Sequence, residues 1–369
     1  MIHRIGPLAL QRLAVLGCGN GGQTCAADLA LAGFDIALYE LPEFRHNLTP
    51  IIQKGGIKIS GAARNGFAKL ALVTTDIKDA IEGAELIQIV CPAFAHKAFC
   101  ELCAPYLEDS QAVVFYGKGG GSLELVQALK RSGNTKKILF GETSTLPYAC
   151  RVVAPAEVHV YESSKHLLMT SAFPSSMTSD FVKIIKEVYP AATACANVLE
   201  TMLHDYNAVI HPAVVLLNAG RIEYSGGKFF FYREGLTPST GKLVECVDRE
   251  RLEILRALGL RGISLIESTG NPKFHSVYEA MRREDLLPIS GPHDLRDRYL
   301  TEDIPFGLVT YSSIANLVAV QTGVMDSLIT IASRLHDVNY RETGRTIAKL
   351  GLSGFDKGRL LEYVSTGVA

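Results

Sequence analysis

The sequence predicts an α/β domain with a doubly wound, mostly parallel sheet, followed by an all-α domain. Three observations point there. Short apolar runs alternate with helical patterns up to about Pro190, as expected where helices flank a parallel sheet. Beyond Pro190 the strand signals stop and helical periodicity takes over. At 369 residues the chain also exceeds the size at which one hydrophobic core keeps growing, so two domains are expected. We place them at residues 1–192 and 193–369.

Taken in order, Leu13–Leu16 reads as the first strand, Thr24–Ala32 as the helix behind it, and Asp35–Tyr39 as the second strand. Ile57–Ile59 and Ala71–Thr74 add weaker strands before a helix around Ile77–Glu82. Leu86–Val90, Ala112–Phe115 and Lys137–Phe140 follow, each trailed by Gly, Pro or Ser and then a helical pattern. Glu157–Tyr161 and Leu167–Ala172 read as a closing hairpin. In the second part Asn197–Tyr224, Arg249–Ala257, Asn316–Leu335 and Arg341–Leu350 have helical period and length. Pro305–Met325 is free of charge over a bilayer-spanning length. Its Pro305, Gly307, Asn316 and Gln321 fit a buried helix better than a membrane span.

Composition excludes several partners. Hydrophobic residues make up 47% and charged residues 20% of the chain, an ordinary globular balance. The formal net charge is -1 and no long Lys or Arg run occurs, so neither nucleic acid nor an anionic membrane has an electrostatic basis as partner. The eight cysteines have no framework spacing, and a chain this long needs no disulfide staples. Cys100 and Cys103 form a C-x-x-C without the second pair, or His pair, that zinc requires. We therefore expect no metal and read both as small buried residues on one helix face. MIHRIGPLALQR lacks the apolar core of a signal peptide. A soluble, cytoplasmic protein is expected.

The first strand runs into Gly17-Cys18-Gly19-Asn20-Gly21-Gly22, a G-x-G-x-x-G pattern at Gly17, Gly19 and Gly22. The first glycine permits a tight turn, the second lets the backbone approach a pyrophosphate, and the third lets the helix pack on the strand with its N-terminal amides facing the phosphates. Glycine-rich turns are common, and context is what gives this one weight. It follows a strand, precedes a helix, and Glu40 ends the next strand roughly 20 residues on. This is a Rossmann fingerprint, with Cys18, Asn20 and Gly21 completing the cofactor loop. A carboxylate at Glu40 accepts from a ribose 2′-hydroxyl and repels a 2′-phosphate, so NAD is expected, while Arg45 nearby leaves NADP open. Pro92 and Ala93, in the CPAFAH segment at a strand's carboxyl end, are further cofactor contacts. His96 there reads either as catalytic or, more plainly, as a partly exposed residue at a helix start. Lys118, in the run Gly117–Gly121, fits a substrate or cofactor contact and a mobile loop equally well.

The substrate site must be sought in the second domain. Its first helix carries Asn207, His211 and Asn218 at offsets of four and seven, which puts them on one face. The rest of that helix is apolar, so the polar stripe is expected to meet a cleft between the domains. Pro212 implies a kink next to His211. A helix-face histidine satisfied by a neighbouring side chain fits the same spacing. A charge-rich segment, Arg296-Asp297-Arg298-Tyr299-Leu300-Thr301-Glu302-Asp303, leads into Ile304-Pro305. There Asp303 can orient a histidine and Arg298 can hold a carboxylate bidentately. Spacing does not decide whether this segment reaches His211.

Taken together, GCGNGG, CPAFAH, GETSTLPYACR (141–151), NAVIHPAVVLLNAGRIE (207–223), YREGLTPSTG (232–241), RYLTEDIP and RTIAKLGLSG (345–354) resemble the octopine/opine dehydrogenase family over nearly the whole chain. Length and the C-terminal motif are most similar to bacterial enzymes of the N-(1-carboxyethyl)-norvaline type. The resemblance implies a helical domain of the 6-phosphogluconate-dehydrogenase-like kind. It implies His211 as catalytic histidine, Asp303 as its partner and Arg298 as the group gripping a 2-oxo acid carboxylate. It also implies a threonine, Thr143 or Thr145, lining the substrate entrance. The implied reaction condenses an amino acid with a 2-oxo acid such as pyruvate and reduces the imine with NAD(P)H. The residue types suit it: histidine titrates near neutral pH and can relay a proton, a carboxylate fixes its tautomer, and Arg298 and Asn207 can meet substrate carboxylates.

The main alternative is a 2-oxo or 2-hydroxy acid dehydrogenase of the ketopantoate reductase or glycerol-3-phosphate dehydrogenase kind. Those use a lysine where His211 stands, and no Lys lies between Lys186 and Lys228. A non-catalytic NAD-binding sensor would have no use for the His, Arg and carboxylate set. An apolar helical domain permits a homodimer without requiring one.

Overall fold

The computed structural model describes residues 10–163 and 167–368. Most of the opening segment MIHRIGPLALQR, expected not to be a signal peptide, lies outside the described residues. The chain divides into two compact units, one running to Thr201 and taking back Val364–Gly367, the other spanning Met202–Tyr363.

The first unit contains β1 (Arg12–Leu16), β2 (Asp35–Tyr39), β3 (Ile57–Gly61), β4 (Gly66–Ala68), β5 (Leu72–Thr74) and β6 (Leu86–Ile89). It continues with β7 (Ala112–Tyr116), β8 (Leu139–Thr143), β9 (Tyr148–Ala154), β10 (Glu157–Ser163), β11 (Leu168–Phe173) and β12 (Ala192–Ala194). One sheet has eight strands in the order β12-β11-β8-β7-β6-β1-β2-β5. All its neighbours run parallel except β8 and β11. From β1 the sheet grows toward β2 on one side and β6 on the other. That is the doubly wound arrangement, and it puts the ligand-binding switch point at the carboxyl ends of β1 and β6. β6 and β7 are buried end to end, because helices cover both faces of a parallel sheet. Leu13, Val15 and Leu16 of β1 are wholly buried, each contributing about 1.5–3 kcal/mol of hydrophobic stabilisation.

The closing hairpin expected of Glu157–Tyr161 and Leu167–Ala172 does not form. β10 joins a second, four-stranded sheet, β4-β3-β10-β9, antiparallel to β9 and parallel to β3. β11 instead pairs antiparallel with β8 in the main sheet. The sequence reading missed β9, whose burial alternates only irregularly. Pro155 and Ala156, the latter at φ 54°, turn it back onto β10. β12 carries strand structure just past Pro190.

The second unit is helical. The single helix expected over Asn197–Tyr224 is three: Val198–Leu203, Asn207–Leu217 and Ala219–Ser225. Asp205 restarts the chain between the first two, its Oδ1 accepting from the Asn207 amide at 3.1 Å. Arg249–Ala257 lies inside a longer helix, Pro238–Leu258, begun by the Thr237 side-chain cap and Pro238. The charge-free stretch is not one helix. It comprises a π-helical turn Ile304–Leu308, a helix Val309–Leu317, and the start of Gly323–His336, with Ala319 at φ 56° in the break. No described helix is long and apolar enough to cross a membrane. Of Arg341–Leu350 only the first turn, Tyr340–Thr343, is helical; beyond it the Arg345 amide donates to the Pro305 carbonyl at 2.8 Å and draws the chain onto the π-turn. Arg251, fully buried, donates to Asp248 and to the carbonyls of Leu203 and Ile263, which compensates its charge inside the helical core.

Candidate active site

The Gly-rich loop has the geometry its glycines predict. Gly17 sits at φ +109°, and a Cβ there would lie 2.3 Å from the Val90 carbonyl oxygen. At Gly22 a Cβ would lie 1.8 Å from the Gly17 oxygen, so the helix Asn20–Leu31 closes on the strand only without a side chain. Gly19 is different: it is exposed, and a Cβ there meets nothing within 4 Å. As the N-cap of that helix it offers no side-chain cap. An open, uncapped helix start with room above its second glycine is what a pyrophosphate needs.

Glu40, at the end of β2, is buried. Its Oε2 accepts from the Cys18 amide at 3.0 Å and the Asn47 side chain at 3.3 Å, and its Oε1 from the Leu41 amide at 2.9 Å. With these three contacts Glu40 braces the loop between β1 and β2. Burial and the Glu40 charge push the Cys18 thiol up from its ordinary value. Asn20 belongs to the scaffold: its Oδ1 accepts from the Val152 amide at 2.8 Å, tying the loop to β9. At the end of β6, Pro92 is half-buried and Ala93 buried. His96, expected to be partly exposed, is instead buried, with its ring 5.3 Å from that of Phe115.

Of the two candidate threonines, Thr143 is buried and gives its hydroxyl to the Thr145 carbonyl at 2.8 Å. Thr145 is half-buried. Beside them Glu142, wholly buried, accepts from the Gly120 and Ser122 amides at 2.9 Å and from the Ser122 hydroxyl. It thereby caps the helix Gly121–Ser132 and shapes the loop carrying Lys118, itself at φ 54°. Nothing in the sequence marks this role, because a carboxylate ending a strand pattern looks exposed. Cys100 and Cys103 are buried on the helix His96–Cys103.

In the second unit, His211 Nδ1 lies 2.8 Å from Asp303 Oδ2. The side chains are 12% and 4% exposed. The helix Asn207–Leu217 carries the histidine with Pro212 inside it. Asp303 precedes the π-turn Ile304–Leu308, and a Cβ at Gly307 in that turn would stand 2.4 Å from the Ala208 Cβ. Glycine is what lets the turn approach the helix. A carboxylate only accepts, so Nδ1 carries the proton and Nε2 is left to act. Two aromatic rings surround the imidazole, both missed by the sequence reading: Tyr299 stacks on it at 4.0 Å and 29°, and Phe231 stands nearly perpendicular at 5.3 Å. Phe231 begins a second π-turn, Phe231–Gly235, of the irregular kind that recurs at functional sites.

Arg298 is exposed, with Nη1 3.3 Å from the buried Glu302 carboxylate. Asn207 is exposed one turn before His211. Asn218, on the same face by spacing, is committed elsewhere, donating to the carbonyls of Val214 and Gly235. No cluster of metal-ligating side chains occurs among the described residues.

A glycine-rich first turn on a doubly wound sheet, with a histidine–carboxylate pair in a helical unit, points to a dinucleotide-dependent oxidoreductase. Residues 194–336 match the family described as NAD/NADP octopine/nopaline dehydrogenase, alpha-helical domain, and residues 13–164 match ketopantoate reductase PanE/ApbA. The chain is 37% identical to the opine dehydrogenase of Arthrobacter sp. (strain 1C) over 347 residues, covering 92% of this chain and 95% of that one. It belongs to the opine dehydrogenase family, and is an NAD(P)-dependent oxidoreductase acting on CH–NH bonds. The fold is shared with an octopine dehydrogenase solved with NADH and L-arginine (TM-score 0.77, 21% identity, 97% of this chain and 98% of that one). It is shared too with a yersinopine dehydrogenase solved with NADP+ (TM-score 0.68, 14% identity, 96% and 98%).

Proposed function

We propose that this chain condenses an amino acid with a 2-oxo acid such as pyruvate and reduces the resulting imine, and runs the reverse oxidation. The 2.8 Å contact between His211 and Asp303 carries this reading. Residues 1–192 supply the cofactor site, where Gly17, Gly19, Gly22 and the first amides of the helix Asn20–Leu31 hold the pyrophosphate and Glu40 meets the ribose. Cys18, Asn20 and Gly21 shape that loop, and Pro92 and Ala93 flank it. The carboxylate at Glu40 favours NAD over NADP. When bound, the nicotinamide supplies or removes the hydride.

Residues 193–369 manage protons and substrate charge. Asp303 holds the imidazole in the tautomer with Nδ1–H. His211 Nε2, bare in that tautomer, takes a proton from the amine nitrogen as it bonds to the ketone carbon and passes it to the departing oxygen, which leaves as water; the reverse direction returns it. Arg298 pairs with the 2-oxo acid carboxylate, Asn207 donates to the amino acid carboxylate, and Thr145, whose neighbour Thr143 has spent its hydroxyl, lines the entrance. The protein acts in the cytoplasm, and its apolar helical unit permits a homodimer.

The test is an amine screen with pyruvate and NADH, followed by mass analysis of the product. An N-(1-carboxyethyl) amino acid is expected. NADH oxidation with the 2-oxo acid alone, unaffected by any amine, would instead indicate a 2-hydroxy acid dehydrogenase.

A further inference from the structure

We propose that Tyr299 is a positioning residue for His211, acting through the face of its ring. The inference rests on the proton relay proposed above and assigns a new part of it.

The carboxylate contact fixes only one atom of the imidazole. A single hydrogen bond at Nδ1 leaves the ring free to rock about the Nδ1–Asp303 line, and rocking sweeps Nε2 across the substrate. Two further contacts remove that freedom. Tyr299 covers one face with ring centroids 4.0 Å apart and 29° between the planes, a close, near-parallel stack. Phe231 abuts it at 5.3 Å and 89°, and the two aromatic rings touch each other at 5.0 Å. The imidazole therefore sits in a slot with a carboxylate at one end, an aromatic face along one side and a second ring across it.

The backbone shows why Tyr299 can do this. Asp297 caps the short helix Arg298–Thr301, its side chain accepting from the Tyr299 amide. That turn sends Arg298 outward to Glu302 and Tyr299 onto the imidazole, and Asp303, two residues beyond it, reaches Nδ1. The other charged groups around the slot are committed elsewhere. Glu234 of the π-turn accepts from Arg221 and the Phe230 amide, and Arg233 lies over the Phe230 ring. On the helices packed against Asn207–Leu217, Asp248 is held by Arg251, and Asp326 by Ser312 and Arg341. Lying against the imidazole face, the Tyr299 ring sets its tilt, and a misplacement of about 1 Å in a catalytic group costs on the order of 10²-fold.

The experiment compares Tyr299→Phe with Tyr299→Leu in the full-length enzyme. Each is assayed for kcat and KM, for NADH binding by fluorescence titration, and for the proton resonances of His211 by NMR. In the Leu variant kcat is expected to fall about 10–100-fold, with NADH affinity within about threefold of the parent. The His211 signals should move downfield as the ring current is lost. The Phe variant should restore both. Leu turning over like the parent overturns the proposal, as does Phe failing as badly as Leu, which would assign the effect to the hydroxyl. If the resonances move but His211→Ala itself keeps full turnover, the stack is real and the proton relay is what fails. A Leu variant that does not fold is replaced by Tyr299→Met, read in the same way.

Discussion

Each unit holds a buried carboxylate against a nitrogen that matters, and does so by opposite means. Glu40 accepts from the Cys18 amide 22 positions away, and both lie at the ends of adjacent parallel strands whose register already brings them together. Asp303 meets an imidazole 92 positions away, across two irregular turns and a close approach that only Gly307 allows. The first site is built of backbone, so glycines and strand ends define it. The second is built of side chains, so it depends on which rings and turns happen to pack. Damage should divide accordingly: in the first unit through sterics and cofactor affinity, in the second through turnover.

The largest expected effect is in the second unit. His211→Ala should lower kcat by roughly 10²–10⁴-fold with NADH affinity nearly unchanged. Asp303→Asn should fall between that variant and the parent, because an amide can orient the ring without stabilising its cation. Steady-state kinetics beside a fluorescence titration check this, and unchanged turnover in His211→Ala would remove the pair from the mechanism. The complementary break is Gly22→Ala, which places a methyl against the Gly17 carbonyl and must displace loop or helix. We expect NADH Kd to rise at least about tenfold while turnover at saturating NADH changes little, since a backbone shift near 1 Å disrupts phosphate positioning. Equal loss of kcat in both variants would erase the distinction between the two sites.

That division also tracks what could be read from the sequence. The main sheet and the geometry of the glycine loop were legible because strand period, glycine spacing and a carboxylate at a strand end are local. The identities of His211, Asp303 and Arg298 came from motifs, whereas the contact between the first two rests on π-turns that no period announces. Asn218 shows the limit of periodicity: it shares a face with His211, but carbonyls within reach claim its amide. Tyr299 and Phe231 were not singled out, since ring contacts with a histidine 88 and 20 positions away leave no local trace. β10 went to the wrong partner because pairing of β3, β9 and β10 is non-local, and Arg341–Leu350 lost its helix to a tertiary bond at Pro305.

The smallest effect sharpens the comparison inside the second unit, where a second histidine has the same contact without the charge. His336 Nδ1 lies 2.6 Å from the Tyr340 hydroxyl, a neutral partner, at the end of the helix Gly323–His336. A helix carboxyl end ordinarily favours a cationic histidine. Here burial outweighs it and lowers the pKa below the usual 6.5, with the Arg296 charge adding to the shift. The unfolded chain therefore binds the proton more readily than the folded one. The stability from keeping His336 neutral is complete above about pH 6.5, and is lost as pH falls below that value and through the folded-state pKa. Melting curves between pH 7 and 5 should show the parent losing about 1–4 °C more than His336→Gln. Parallel curves would mean that burial does not hold this imidazole neutral.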